Sequence, residues 1–237
     1  MKTLTGSLIV TACILAVTGQ SVVAESPSDE FKKKVIETII ENPEVVLVAL
    51  QLLEAEKAEE KLAASTASLE KFREELFPEG SNIRVVEFVD YNCGYCAASS
   101  KDIQSLPDGS AEVISFIELP ILGEASWEIA SVALAVRNTA GQAAYRAFHH
   151  AIFENKSFVR NGAGALRLAE RMGHDTAAIK AASTHRDVEI ELTRNREMAR
   201  ELGIQGTPSF VTQDRVHEGI MTLAELKSMT TNIGDPQ

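Results

Sequence analysis

Residues 85–96 read Val85-Val86-Glu87-Phe88-Val89-Asp90-Tyr91-Asn92-Cys93-Gly94-Tyr95-Cys96. The segment Ile83 to Val89 is rich in Val, Ile and Phe and short, which predicts a buried strand. Past Asp90-Tyr91-Asn92, a Cys-x-x-Cys pair opens a stretch from Gly94 to Leu106 that reads as a helix and stops at Pro107. Two cysteines so spaced at a helix start can close a small ring, with the first facing solvent. Unpaired amide groups and the positive end of the helix dipole favour that first sulfur as thiolate, below the free value of about 8.5. Cys93 is therefore expected to be the attacking nucleophile. Cys96, one turn further in, is placed to resolve the mixed disulfide.

A structural zinc site wants four ligands, and no second cysteine pair exists; His149 and His150 are adjacent and diverge on a helix. A c-type haem needs His directly after the second cysteine, where this chain has Ala97. Redox chemistry is favoured, with no cofactor and no metal. Two thiolates also suit Cu(I), a soft ion, so a copper-binding or holdase module is a competing reading from a different class.

Outward from this motif, Val113 to Leu119 is a second buried strand, and strand, helix, strand make a parallel unit with the cysteines at the strand's carboxyl end. Residues 124–202 read as almost wholly helical, broken near Gly141, Asn161 to Gly164 and Gly173. Ser209 to Thr212 and Arg215 to Gly219 are short strands around Gln213-Asp214, and Thr222 to Thr231 closes as a helix. The expected class is α/β: a mixed sheet carrying an inserted helical subdomain at about 124–202. No internal repeat is present.

The amino-terminal third has a different character. Lys2, the apolar run Leu8 to Val17 and the small residues Val22-Val23-Ala24 read as a cleavable signal peptide over residues 1–24, too short to be a good membrane span. Val10-Thr11-Ala12-Cys13 resembles a lipoprotein box, but Ile14 to Val17 continue the apolar run past Cys13 and weigh against it. An exported protein is expected, and cleavage takes the net charge from −11 to −12. That acidity argues against nucleic acid or a membrane surface as the main partner. It also leaves only Cys93 and Cys96, too few for a disulfide framework.

Phe31, Val35, Ile36, Ile39 and Ile40 recur at helical spacing up to Asn42-Pro43, where Asn42 suits the N-cap and Pro43 the first position of a second helix reaching about Leu76. Val46, Leu50, Leu53, Ala58, Leu62, Leu69, Phe72 and Leu76 form one apolar stripe along it. The stripe is long for a domain of this size. Self-association through residues 25–77 is therefore favoured over packing within the monomer, with the catalytic domain occupying 78–237.

Three separated segments resemble the thioredoxin-like periplasmic proteins that include DsbA and DsbC. Residues 85–96 resemble their active-site strand and motif, Leu119-Pro120-Ile121-Leu122-Gly123 the end of their next strand, and Gly203-Ile204-Gln205-Gly206-Thr207-Pro208-Ser209-Phe210 their cis-proline loop. The resemblance covers roughly residues 83–233 and implies a thioredoxin-like fold. It further implies that Glu87, six residues before Cys93, is the buried acid exchanging protons with the resolving cysteine, its pKa raised by burial. Pro208 would be cis, presenting Thr207 to an extended substrate by strand addition. Gly94 and Tyr95, between the cysteines, tune the potential and look like the isomerase-type pair.

Exported proteins with cysteines are the implied substrates. A DsbD- or ScsB-like membrane reductant is the implied redox partner, ahead of a DsbB-like oxidant, and the alternative activity is DsbA-type oxidation. The amino-terminal segment resembles the stalk of the trimeric copper-sensitivity suppressor relatives more than the DsbC dimerisation domain, so trimer and dimer both stay open. Ala97, where relatives are often basic, and the short helix before Pro107-Asp108-Gly109 depart from the pattern. Among other residues, His149 and His150 are expected at a core edge and Trp127 in packing. Arg194, Arg196 and Arg200, alternating with Glu191, Glu197 and Glu201, are expected on a solvated, salt-bridged helix face.

Overall fold

The computed structural model describes residues 28–107 and 109–231. The expected signal peptide, the box at Cys13 and Asp108 lie outside the described residues. Elements follow in the order α1 (Asp29–Glu41), α2 (Glu44–Leu76), β1 (Val85–Val89), α3 (Gly94–Gln104), β2 (Ile114–Glu118), α4 (Glu124–Glu154), α5 (Gly162–Arg171), α6 (Thr176–Ser183), α7 (Arg186–Glu201), β3 (Ser209–Val211), β4 (Val216–Glu218) and α8 (Leu223–Thr231). The chain divides into two compact units between Ala55 and Glu56, inside α2.

In the first unit, the Ser28 hydroxyl caps α1 by accepting from the Phe31 amide. Asn42 does not serve α2 as a side-chain N-cap: its side-chain amide donates to the Thr38 carbonyl at 2.8 Å and closes α1 instead. No residue of α1 is buried. Phe31, Ile36, Ile40, Leu47, Leu50 and Leu52 are all more than half exposed, so the apolar side chains here are uncovered by their own chain.

The second unit is built on a four-stranded sheet of order β2-β1-β3-β4, with β1 parallel to β2 and antiparallel to β3, and β3 antiparallel to β4. Every residue of β1 is buried, Glu87 included, as befits a largely apolar strand covered on both faces. The two-residue period of the strand divides it between two cores. Val85 and Val89 belong to the larger, with both cysteines, Ile103 of α3 and the inward side of α4. Val86 and Phe88 belong to the smaller, with Met198 and Ala199 of α7. Leu69 and Leu76, expected within the stalk, are buried in this smaller core, so the last turns of α2 pack as part of the second unit.

The helical block between β2 and β3 is four helices. At Gly141 the backbone of α4 turns through φ 88°, a left-handed conformation that glycine adopts without penalty, and the helix kinks there. A further break at Thr184-His185 carries no Gly or Pro. His185 marks it by capping α7, its Nδ1 accepting from the Asp187 amide.

Candidate active site

Cys93 sits at the N-cap of α3 and Cys96 in its first turn. Both are free thiols. Asp90, itself buried, holds the approach to them. Its Oδ1 accepts from the Asn92 amide at 2.7 Å, and its Oδ2 accepts from the Ile121 and Leu122 amides at 2.8 and 2.9 Å. One carboxyl thus ties the loop after β1 to the loop after β2, the two conserving no covalent link of their own. The third loop runs from α7 into β3: Thr207–Pro208 is cis, the Thr207 carbonyl lies 3.1 Å from Cys93 Sγ and accepts from it in the thiol form, and the Gly219 amide donates to the Pro208 carbonyl at 3.0 Å. The three segments singled out in the sequence are therefore drawn together, the cis-proline loop against the Cys93 sulfur and the loop after β2 through Asp90.

Cys93 was expected to face solvent, yet it is only 7% exposed, because the Thr207 loop leans on it. Cys96 is wholly buried. Tyr95, between them, is 70% exposed and is the prominent aromatic surface of the site. Gly94 has open space where a Cβ would project.

The two thiols are driven in opposite directions. Cys93 falls to about 5, chiefly because the Cys96 thiol donates to it; backbone amides of Cys96 and Tyr95 and the Thr207 hydroxyl add to this against the opposing effect of burial. The neighbouring thiol, rather than the helix dipole invoked from sequence, is thus the largest cause. Cys96 is pushed far up by burial first, then by its bond to Cys93 and by the charge of Glu87. Glu87 shares the sheet face of Val85 and Val89, is 1% exposed, and is pushed up to about 8 by burial, with the Ser99 hydroxyl opposing. Neither of its carboxyl oxygens has a hydrogen-bond partner among the described residues. A protonated acid beneath the pair is the form that burial favours at neutral pH.

Sequence reasoning missed two further groups. Lys156, just past α4, donates to the Tyr91 carbonyl and to Asn92 Oδ1, which places its ammonium within electrostatic reach of Asp90, Cys93 and Cys96. Glu118, at the end of β2, accepts from the Tyr91 hydroxyl at 2.8 Å and the Tyr145 hydroxyl at 2.6 Å, and burial pushes it up to about 8. His149 joins that cluster through Tyr91 and stacks on Phe116; it is fully buried rather than at a core edge, and burial drives its pKa well down. The signal for Glu118 was the one read for Glu87, an acid at an inward position of an apolar strand. Lys156 carried no local signal, since its partners are backbone and amide oxygens far along the chain.

Among the described residues no cluster of three or more His, Cys, Asp or Glu side chains could hold a metal ion, and no helix is long and apolar enough to cross a membrane.

No curated protein matches the chain by sequence. Solved structures do. A thioredoxin-like oxidoreductase from Silicibacter pomeroyi DSS-3 is 34% identical, with 68% of this chain and 96% of that one covered at a TM-score of 0.58. The thiol-disulfide exchange protein alpha-DsbA2 from Wolbachia pipientis is 25% identical over 73% of this chain and 97% of that one, at 0.60. A linker-deletion variant of Proteus mirabilis ScsC shares the fold at 22% identity, covering 88% of this chain and 97% of that one at 0.61. Residues 84–230, which span all three site loops, match the family model described as the DSBA-like thioredoxin domain, and the chain belongs to that family.

Proposed function

We propose that the protein is an exported thiol-disulfide isomerase or reductase that works as a self-associated assembly. Thiol exchange is supported by a Cys93 held as thiolate near neutral pH beside a Cys96 held as thiol, and the observation that carries isomerisation or reduction ahead of oxidation is the uncovered apolar face of α1 and the first half of α2, which suits an assembly presenting several such pairs. The Cys93 thiolate attacks a sulfur of a substrate disulfide. One substrate sulfur leaves as thiolate and takes a proton from water, and the other is held in a mixed disulfide. In isomerisation, a second substrate thiolate then attacks the held sulfur and returns Cys93 unchanged, with no net redox. In reduction, Cys96 gives its proton to the ionised form of Glu87 and attacks Cys93, leaving a Cys93–Cys96 disulfide and a substrate dithiol. A membrane reductant must then restore the pair. Thr207 stands beside Cys93 where an extended chain could pair with it, and Tyr95 offers it an apolar surface.

The uncovered apolar face of α1 and the first half of α2 supports self-association, since a face of that extent buried in other copies would be stabilised at about 25 cal/mol per Å². DsbA-type oxidation is the second reading. The low pKa of Cys93 favours it, because stabilising the thiolate stabilises the reduced form and makes the disulfide an oxidant.

The test is the state of the pair in the exported compartment, read by thiol alkylation, together with capture of substrates by Cys96→Ser. An isomerase or reductase is found mostly reduced, and Cys96→Ser accumulates mixed disulfides that Cys93→Ser does not. A pair found mostly oxidised would mean that electrons run the other way.

A further inference from the structure

The three arginines of α7 do not form one solvated ion-pair face. Arg194 pairs with Glu75 of α2 at 2.5 Å. Arg196 instead donates to the Pro120 carbonyl at 2.8 Å and lies 5.1 Å over the Trp127 ring. Arg200 has no ion-pair partner among the described residues and is exposed. Arg196 and Arg200 rim a groove of about 370 Å³ whose apolar lining comes from Leu119, Ile121, Ala199 and Ile204. No acidic side chain lines it. On a chain of net charge −11, this is a strip with two arginines at its rim and an apolar floor.

Two residues that line the strip belong to the loops that hold the reacting sulfur. On one wall, Ile121 is held through its amide by Asp90, whose carbonyl also accepts from the Cys93 amide at 3.0 Å. On the other, Gln205 lies two residues before Thr207, whose carbonyl is 3.1 Å from Cys93 Sγ. Two extended residues span about 7 Å, so a substrate strand paired at Thr207 reaches the groove about two residues from its own cysteine. We infer that this groove is a specificity subsite for substrate segments carrying a carboxylate about two residues from the reactive cysteine. The carboxylate meets Arg200 and the outer edge of Arg196, and the methylene stem of the same side chain lies over Ile121 and Ile204. The inference rests on the thiol-exchange reading above and names the substrate class for it.

The experiment uses the reduced mature protein and short peptides, each dimerised through a single cysteine. Leu stands next to the cysteine, and Asp, Asn or Lys two residues from it on both sides. Each peptide disulfide takes two electrons from the Cys93–Cys96 dithiol and yields two peptide thiols, whose release is timed by chromatography. At low salt the Asp peptide is expected to react about threefold to fivefold faster than the Asn peptide, against the overall repulsion of an acidic protein. The ratio is expected to fall toward one in 0.5 M salt. Arg200→Glu, an exposed substitution, is expected to invert the order so that Lys exceeds Asp. Equal rates for Asp and Asn, or a preference untouched by Arg200→Glu, would overturn the subsite and leave thiol exchange standing. Failure of every peptide to react would overturn both.

Discussion

Cys93 and Cys96 are chemically identical and one helical turn apart, yet one is poised as thiolate and the other kept as thiol. The asymmetry comes from exposure and from the direction of one hydrogen bond. Cys96 is wholly buried and its thiol donates to Cys93, whose sulfur keeps 7% exposure and, as thiolate, accepts from that thiol and from the backbone amides of Tyr95 and Cys96. Titration of the reduced protein by thiolate absorbance at 240 nm is expected to show a midpoint at about 5, and Cys96→Ala to move it upward by removing the first donor. A thiol whose pKa falls from 9.0 to about 5 on folding adds stability to the reduced protein that is full above pH 9 and lost as pH falls through 5. Glu87 acts with the opposite sign. Its carboxyl rises from 4.5 to about 8, so the folded state holds a proton that the unfolded chain has released. Its contribution is full below pH 4.5 and lost as pH climbs to 8. Glu87→Gln is expected to raise stability at pH 8 by about 1–3 kcal/mol in denaturant unfolding, and to slow the Cys96 step by removing its proton acceptor. The cysteine pair was legible from its spacing, and the burial of Glu87 and the cis bond at Pro208 from the resemblance of the segments around them. Lys156 and the Glu118 cluster were not, because their roles arise only where α4 folds back on β1 and β2.

At the scale of elements, periodicity located nearly every helix and strand, since β1 is a short run of Val and Phe interrupted only by Glu87 and the helical block is punctuated by Gly141, Asn161 and Gly173. What it could not assign was the owner of α2. Its apolar stripe continues past the unit boundary, so a single pattern serves two purposes: an exposed face before Ala55 and a buried one from Leu69 to Leu76. Leu76→Ala is expected to cost about 2–4 kcal/mol, measured on the catalytic unit, as for any fully buried leucine. Leu47→Glu with Leu50→Glu lies on the exposed part and is expected to leave the melting transition of the catalytic unit unchanged while dissociating the assembly to monomers, as read by sedimentation. A chain that stays monomeric without these changes would remove the reason for its uncovered apolar face.

For the whole molecule, composition indicated an acidic, cysteine-poor protein with one redox pair, and the fold places that pair where the loops after β1 and β2 and the loop before β3 meet. The direction of electron flow was not legible, because it depends on the difference in stability between dithiol and disulfide, to which burial, Glu87 and the low pKa of Cys93 contribute with different signs. Refolding of a scrambled, multiply disulfide-bonded protein by the mature chain tests it most directly, with the Leu47→Glu, Leu50→Glu variant alongside. Recovery of native protein by the parent, and loss of that recovery in a variant whose Cys93 remains reactive, is the expected result. No recovery by either, with rapid oxidation of a reduced substrate instead, would contradict it and identify a disulfide oxidase.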